Sequence, residues 1–484
     1  MNYYSVLIEE AGNDQKTIFR LIDRVLHRKP GKVYPTAQSA AELANSFAEF
    51  FTDKIKAIRN GLPSIDLQSD IFSTLDDNTV DCQLGVLEPC TADEISKNIS
   101  KIASKSCLLD PLPSSLLSKY LHDILPVITT IVNLSLGTSN MPLCLKKAVV
   151  TPLLKKPQLD HEIISNFRPV SNLPFVPVLG PLLYLLYTSP LGDILRKHNM
   201  MYHLYADDSQ IYATFTYDEP DDMSAAKHGI DRCLVDINCW MSINKLKLNK
   251  DKTELLIFHS KFRKQPTFPS LVFGEEVIVP SKSARNIGAI FDNTMSMSLQ
   301  INAACKSAFF HLRNIARIRK FLSFNTTEIL IHALVTSKVD SYNALLFGLP
   351  KYELKKLQSV LNAAARLLTF TRKFDHITPV LKQLHWLPIE KRIHFKILLL
   401  AFKGLHGLAP AYISDALQLY VPTRTLRSSS AVLLKPVDYH LKTYGYRAFA
   451  VAAPYLWNTL PIDIRSCDSL SIFKSKLKTH LFKT

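Results

Sequence analysis

Tyr205-Ala206-Asp207-Asp208 sets two adjacent carboxylates between two short runs of strand-forming residues. Upstream stands Met200-Met201-Tyr202-His203-Leu204, and downstream Ser209-Gln210-Ile211-Tyr212-Ala213-Thr214-Phe215. Both runs are rich in aromatic and β-branched residues, so the acids are expected at the tip of a β-hairpin. Carboxylates at a rigid strand end suit Mg²⁺, which takes oxygen ligands in near-octahedral geometry and commonly only one or two carboxylates beside phosphates. Asp207 and Asp208 are therefore candidate metal ligands. Chemistry that uses two such ions on a phosphoryl group needs a further carboxylate from another element. Asp-Asp is also ordinary turn chemistry, so the pair acquires meaning only from its setting.

The elements around the pair can be read in part. Ser39-Ala40-Ala41-Glu42 and Thr91-Ala92-Asp93-Glu94 are capping boxes, each opening a helix. The first carries Leu43, Phe47, Phe50, Phe51, Ile55 and Ile58 at helical spacing, the second Ile95, Ile99 and Ile102. Leu62 to Pro89 reads as a polar connector. Ile230, Leu234, Ile237 and Met241 mark an amphipathic helix after the acids, and Thr253 to Phe258 reads as a strand. Residues 298 to 418 read as successive helices, with Ile301, Ala304, Cys305, Ala308, Leu312 and Ile315 on one apolar stripe and Leu357, Leu361, Ala364 and Leu368 on another.

Several further stretches stand in a particular order. They are Leu145 to Lys156, Asn166-Phe167-Arg168-Pro169-Val170-Ser171-Asn172-Leu173-Pro174-Phe175, Val178 to Tyr184, Leu248 to Glu254 and Asn286-Ile287-Gly288-Ala289-Ile290-Phe291-Asp292. With the Tyr-Ala-Asp-Asp tetrad among them, the series resembles a reverse transcriptase of the non-LTR (LINE-type, jockey-like) retrotransposon family, over nearly the whole chain. The resemblance implies an α+β right-hand polymerase fold, with fingers, palm and thumb, a helical region before it and a helical C-terminal half. Its Mg²⁺ would sit on Asp207 and Asp208. Lys155, Lys156 and Arg168 would bear on the template or an incoming triphosphate, because ammonium and guanidinium groups neutralise and orient phosphate. Lysines can also simply edge a strand against aggregation. Lys252 would stand near the pyrophosphate leaving group as general acid or charge stabiliser. The implied partition is 1–90 helical linker, 91–180 fingers remnant, 181–295 truncated palm, 296–420 thumb-like helices and 421–484 C-terminal tail. No endonuclease pattern precedes these segments, so the chain is expected to start after any such domain.

The resemblance is incomplete at one place. In the family, a palm strand carrying the first metal-binding aspartate follows the Arg-Pro-Val-Ser-Asn-Leu-Pro-Phe motif. Here Phe175 runs directly into Val176-Pro177-Val178-Leu179-Gly180-Pro181, and only 32 positions separate Phe175 from Asp207. One helix, one strand and their connections fill that interval, leaving no room for the missing strand and its partner helices. Asp160, Glu162 and Asp193 are the nearest other acids; they read as loop or helix-start residues rather than replacements.

Composition narrows the class of partner. The 484 residues are 47% hydrophobic, which says globular rather than disordered. Lys and Arg total 58 against 42 Asp and Glu, a formal charge of +16 that favours a polyanion: template RNA, an RNA–DNA hybrid or DNA. No acid occurs between Asp292 and Glu328, whereas Lys306, Arg313, Arg317, Arg319 and Lys320 do, a pattern suited to phosphate contact. Trp386, Trp457 and Tyr444-Gly445-Tyr446-Arg447 offer aromatic faces for bases or, more ordinarily, for a core. The eight cysteines are scattered without zinc-knuckle spacing and read as reduced thiols with no disulfide-linked partner. No signal pattern opens the chain, and Ile397 to Phe402 is too short to cross a bilayer. No membrane partner is expected, and an intracellular location is, cytoplasmic and/or nuclear.

Overall fold

The computed structural model describes residues 2–12, 34–62, 89–101, 119–138, 143–156, 158–172, 187–264, 266–273, 276–421 and 432–483, with a few isolated positions between them. It is a mixed α+β structure, 59% helical and 10% strand. Helix α1 spans Asn2–Ala11. Helix α2, Ala40–Asn60, starts where the sequence predicts: the Glu42 N–H donates to the Ser39 hydroxyl at 3.1 Å, and the Glu42 carboxylate accepts from the Gln38 N–H at 3.0 Å. Helix α3, Ala92–Lys101, has the fully reciprocal box, with Thr91 N–H donating to Glu94 at 2.8 Å and Glu94 N–H to the Thr91 hydroxyl at 3.3 Å. The Thr91 N–H and hydroxyl, both donating to it, hold the Glu94 carboxyl below its usual range. Helix α4 covers Leu121–Thr138, and its Asn133 amide brackets the Cys90 backbone at 2.8 and 3.0 Å. Among the described residues it is the one helix long and apolar enough to cross a membrane by length and composition. It is three times as long as the apolar run Ile397 to Phe402.

The strands come as pairs; among the described residues every sheet is two-stranded. β1 (Val149–Leu154) pairs antiparallel with β2 (Phe167–Asn172), Leu153 opposite Arg168. Side chains alternate across a strand, so Phe167 turns inward onto Phe47 of α2, ring centroids 5.1 Å apart, while Arg168 turns outward. Helix α5 (Pro190–Lys197) precedes β3 (Met201–Tyr205) and β4 (Asp208–Tyr212), and helix α6 (Pro220–Ile243) follows them. Leu191, Ile194, Leu195, Cys233 and Ile237 form a small core between α5 and α6, with Tyr202 and Ile211 of the hairpin packed against it. The strand expected over Thr253 to Phe258 is reduced to β5, Leu255–Leu256. Next come the pair β6 (Leu271–Phe273) and β7 (Glu276–Ile278), then β8 (Pro280–Ser281), and the hairpin of β9 (Ser283–Asn286) and β10 (Ala289–Asp292). The Ile287-Gly288 turn of that last hairpin has φ of 45° and 85°, the left-handed pair that fits the twist of two-residue hairpins. The Tyr342 hydroxyl donates to the Ile287 carbonyl at 2.6 Å and stands where a Cβ on Gly288 would be 2.7 Å away, so this position needs glycine on two counts.

The rest is helical: α7 (Ser298–Ile318), α8 (Phe324–Ile331), α9 (Ser337–Asp340), α10 (Lys351–Thr369), α11 (Ile377–Gln383), α12 (Ile389–Leu405), α13 (Ala411–Ser414), α14 (Phe449–Asn458), α15 (Ile462–Arg465) and α16 (Leu470–Lys483). Two compact units result, one of residues 1–30, 256–265 and 280–484, the other of 31–255 and 266–279. The first is built on one continuous core that includes both predicted stripes, Ile301, Ala308, Leu312 and Ile315 of α7 and Leu357, Leu361, Ala364 and Leu368 of α10. Phe473 stacks on Phe402 at 4.3 Å and on Trp457 at 5.8 Å. Trp386 and Trp457 are both buried, and the Trp457 indole N–H donates to the Val432 carbonyl at 2.9 Å, so their faces serve the core. Ile8, Ile18 and Leu21 join that same core from the far end of the sequence, and Glu9 accepts from the hydroxyls of Ser323 and Thr326 at 3.2 and 2.8 Å.

Candidate metal and nucleic-acid sites

The two aspartates sit where the strand runs place them. β3 and β4 pair with Tyr205 opposite Asp208, and Ala206-Asp207 is the two-residue turn. Ala206 is held at φ 52°, a left-handed conformation that costs an alanine roughly 1–2 kcal/mol. Cross-strand pairing puts Asp208, Gln210, Tyr212, His203 and Tyr205 on the hairpin face opposite the one that packs Tyr202 and Ile211 onto the core. His203 and Tyr212 stack on this outer face with centroids 5.5 Å apart. Both aspartates are exposed. Tyr184 lies close enough to Asp207 to feel its charge: partial burial raises the phenol pKa above its usual value, and the carboxylate adds to the shift.

Two adjacent exposed carboxylates fit one Mg²⁺ that keeps most of its ligands from water and phosphate. A two-metal clamp needs in addition a bridging carboxylate that faces them, and among the described residues no group of three or more His, Cys, Asp or Glu side chains is placed to hold a metal. The other acids near in sequence have local partners. Asp193 pairs with Arg196 in the first turn of α5, and Arg196 also reaches the Tyr202 hydroxyl. Asp160 accepts from the Glu162 N–H at 3.0 Å, and Glu162 holds the Thr36 N–H at 2.8 Å. The Phe175 to Tyr184 junction lies outside the described residues, apart from Tyr184 itself.

The proposed phosphate ligands divide. Arg168 is exposed on the outward face of the β1–β2 hairpin; Lys156 is exposed at its tip, and Lys155 donates to the Ser165 carbonyl at 2.7 Å, closing the connection. That hairpin shares no strand pairing with β3–β4. Lys252 is exposed at the end of the short helical turn Lys250–Lys252, and no ion pair joins it to either aspartate.

On α7 the prediction resolves into a stripe. Lys306, Arg313 and Arg317 are exposed at spacings of seven and four residues, which keeps them within about 40° of one another around the helix. Lys320 follows in the next turn. Phe309 and Phe310 are partly exposed on the same side. Glu353 of α10, facing α7, is buried and taken up by the Ser298 hydroxyl at 2.9 Å and Lys356 at 2.8 Å. Arg319 does not belong to the stripe. It is 6% exposed, and its guanidinium donates to the carbonyls of Leu322, Leu367 and Leu368 at 2.9, 3.2 and 2.9 Å, ending α10. A helix turns about 100° per residue, so Arg317 and Arg319, two positions apart, point about 160° away from each other, and Arg319 falls on the core side.

Some important groups have roles that the sequence alone does not show. Asp292, at the end of β10, is buried beneath the start of α7. Burial alone would raise its pKa, but the Ser296 and Met297 N–H groups and the hydroxyls of Thr294 and Ser296 outweigh it and hold the carboxyl below its usual range. Tyr444 donates to the His259 carbonyl and to Thr294 at 3.2 Å, and Arg447 to Met295 at 2.6 Å and Leu345 at 3.0 Å. These side chains brace the segment from β10 to α7 rather than stacking on bases. No protein-family model matches the chain, and no curated protein matches it.

Proposed function

We propose that this chain is a reverse-transcriptase-type polypeptide of non-LTR retrotransposon origin, of right-hand polymerase architecture, that binds RNA or an RNA–DNA hybrid without a complete polymerase centre. The observation that carries the reading is the exposed Asp207-Asp208 pair at a two-residue hairpin tip, with Asp208 on the face turned away from the supporting core. The hairpins β1–β2 and β9–β10 support it, since they fall on stretches within Leu145 to Phe175 and Asn286 to Asp292 that carry the resemblance. The ancestral activity on this reading is RNA-directed DNA synthesis.

In such synthesis, Mg²⁺ would neutralise charge on the transferred phosphoryl group. This chain's share of that work is limited to two carboxylates on one side. Between Tyr187 and Tyr205 the described chain is occupied by helical residues, α5 and β3, consistent with a palm shortened before the acids. Binding is the function that remains: an exposed row of Lys306, Arg313, Arg317 and Lys320 on a rigid helix neutralises phosphates, a sequence-independent contact suited to the A-form backbone. An intracellular site of action, cytoplasmic or nuclear, goes with that partner.

Two assays test the reading. Purified chain supplied with Mg²⁺, an RNA template and a primer is expected to give no extension; extension that Asp207→Asn abolishes would overturn the claim of an incomplete centre. Binding to an RNA–DNA hybrid is expected to weaken with salt by about 0.7 to 0.9 log units per decade for each phosphate contacted. Charge reversal at Arg313, Arg317 and Lys320 should flatten that slope, and an unchanged slope would remove α7 from the interface.

A further inference from the structure

The C-terminal end of α10 carries a loop, Phe370 to His376, that is internally tied yet offers its side chains to solvent. Arg366 donates to the carbonyls of Arg372 and, at 2.8 Å, Asp375. The Arg372 N–H donates to the Asp375 carboxylate at 3.0 Å. Phe370 is fixed at φ 55° as the helix ends, and the buried Arg319 guanidinium lies 4.2 Å from the centre of its ring. The backbone is therefore built, and the loop's only acid is spent on it. What the loop displays is the opposite of a soluble surface: Phe374 is 91% exposed, Phe370 68%, and Arg372 and Lys373 are exposed between them. Lys373 sits over the Phe374 ring at 5.8 Å. Through Arg319 this loop adjoins the turn after α7, where Lys320 lies 4.8 Å over the half-exposed Phe321.

We infer that the Phe370–Phe374 loop is a stacking site for unpaired nucleotides, placed where the basic stripe of α7 ends. The inference rests on the binding reading of α7. Aromatic faces interleaved with cations are the common design for single strands, because any base can stack on a ring while the cations follow the backbone. Paired bases inside a duplex present no free face, so the loop suits a single-stranded overhang rather than the body of the hybrid. Lys306 to Lys320 spans about 20 Å of helix, enough to carry several phosphates toward the loop. Exposed phenylalanine beside lysine and arginine would also suit an anionic lipid surface. The nucleic-acid occupant is preferred because the cations continue as a linear, acid-free row along α7.

The test uses the full chain with three probes: an RNA–DNA hybrid with blunt ends, the same hybrid carrying a single-stranded RNA overhang with 2-aminopurine, and vesicles of phosphatidylserine and phosphatidylcholine. Phe374 touches little else, so Phe374→Ala removes a ring without removing packing. Expected results are quenching of the 2-aminopurine on binding, a loss of overhang affinity of about tenfold in Phe374→Ala and in Phe374→Leu, and unchanged affinity for the blunt hybrid. Full affinity in Phe374→Leu would show apolar contact in place of stacking and overturn the proposal. So would equal losses on blunt and overhang probes, or no loss at all, while α7 binding itself stood. Binding to vesicles alone, lost in Phe374→Ala, would assign the loop to a lipid surface and remove the nucleic-acid reading with it.

Discussion

The helical unit built on α7, α10, α12 and α16 and the hairpin unit around β1 to β4 use similar residues to different effect. In the first, apolar side chains from distant helices meet in one core, and even Trp457 and Phe473 are fully buried. In the second, among the described residues, each sheet stops at two strands, a form marginal in water without further cover. Among the described residues its sizeable cluster rests on α5 and α6, and Val127, Ile131 and Leu134 of α4 remain 58%, 42% and 60% exposed. The contrast teaches where function can be held firmly: the cations of α7 stand on a rigid support, whereas the two aspartates stand on a hairpin with one thin layer behind it.

The contrast would break most visibly under limited proteolysis. Cleavage is expected to concentrate between residues 160 and 220 while the helices from α7 to α12 persist, because local opening is easiest where few apolar contacts resist it. Equal protection of both regions in a monodisperse sample would dissolve the distinction. A second effect, smaller but assignable, belongs to the helical core alone. Trp457→Ala should lower its unfolding free energy by about 3–5 kcal/mol, since a large ring and its hydrogen bond leave together. Chemical denaturation followed by far-UV circular dichroism would read it, and a loss under 1 kcal/mol would mean that the core is looser than its packing suggests.

The smallest of the three effects sharpens the comparison through pH. Asp292 has a folded pKa depressed below the unfolded one, so its stabilisation is complete above the ordinary carboxylate range near 4 and is lost as pH falls through the lower folded value. Asp292→Asn should cost about 2 kcal/mol at pH 7, through hydrogen bonds to a charged acceptor, and progressively less below pH 4. Denaturation midpoints at pH 7 and pH 3 would show whether the difference closes. A difference of the same size at both would assign the cost to shape, not charge.

Much of the local structure was legible, because it depends on neighbours in sequence. Ser39 and Glu42, Thr91 and Glu94, and the Ile287-Gly288 turn all act within four residues, and each does what its chemistry dictates. The hairpin tip at Asp207-Asp208 was readable for the same reason. What escaped depends on distant partners. Arg319 looks like any cation in an acid-free run until the carbonyls at the end of α10 arrive from 48 and 49 residues away. Tyr444 and Arg447 read as core residues or, less ordinarily, stacking ones, but nothing in the sequence shows that they reach 150 and more residues back to Thr294 and Met295. The apolar character of α4 was in the sequence but was diluted by Asp123, Pro126 and Asn133, and only the continuous helix gathers it.

The docking of α1 against α8 carries a consequence for how the molecule comes into being. Glu9 and Thr326 are 317 positions apart, and Ile8, Ile18 and Leu21 have no core of their own until α8 and its neighbours exist. At ribosomal speeds of about 5–20 residues per second, the first helix must wait roughly 15–60 s for its partners. Closing so long a loop adds little equilibrium cost, since each doubling of length costs only about 0.6 kcal/mol, but it delays the reward. For that interval the nascent chain shows an unpaired apolar helix at one end while the weakly supported hairpins emerge behind it. The large helical core is thus the last part that can be completed.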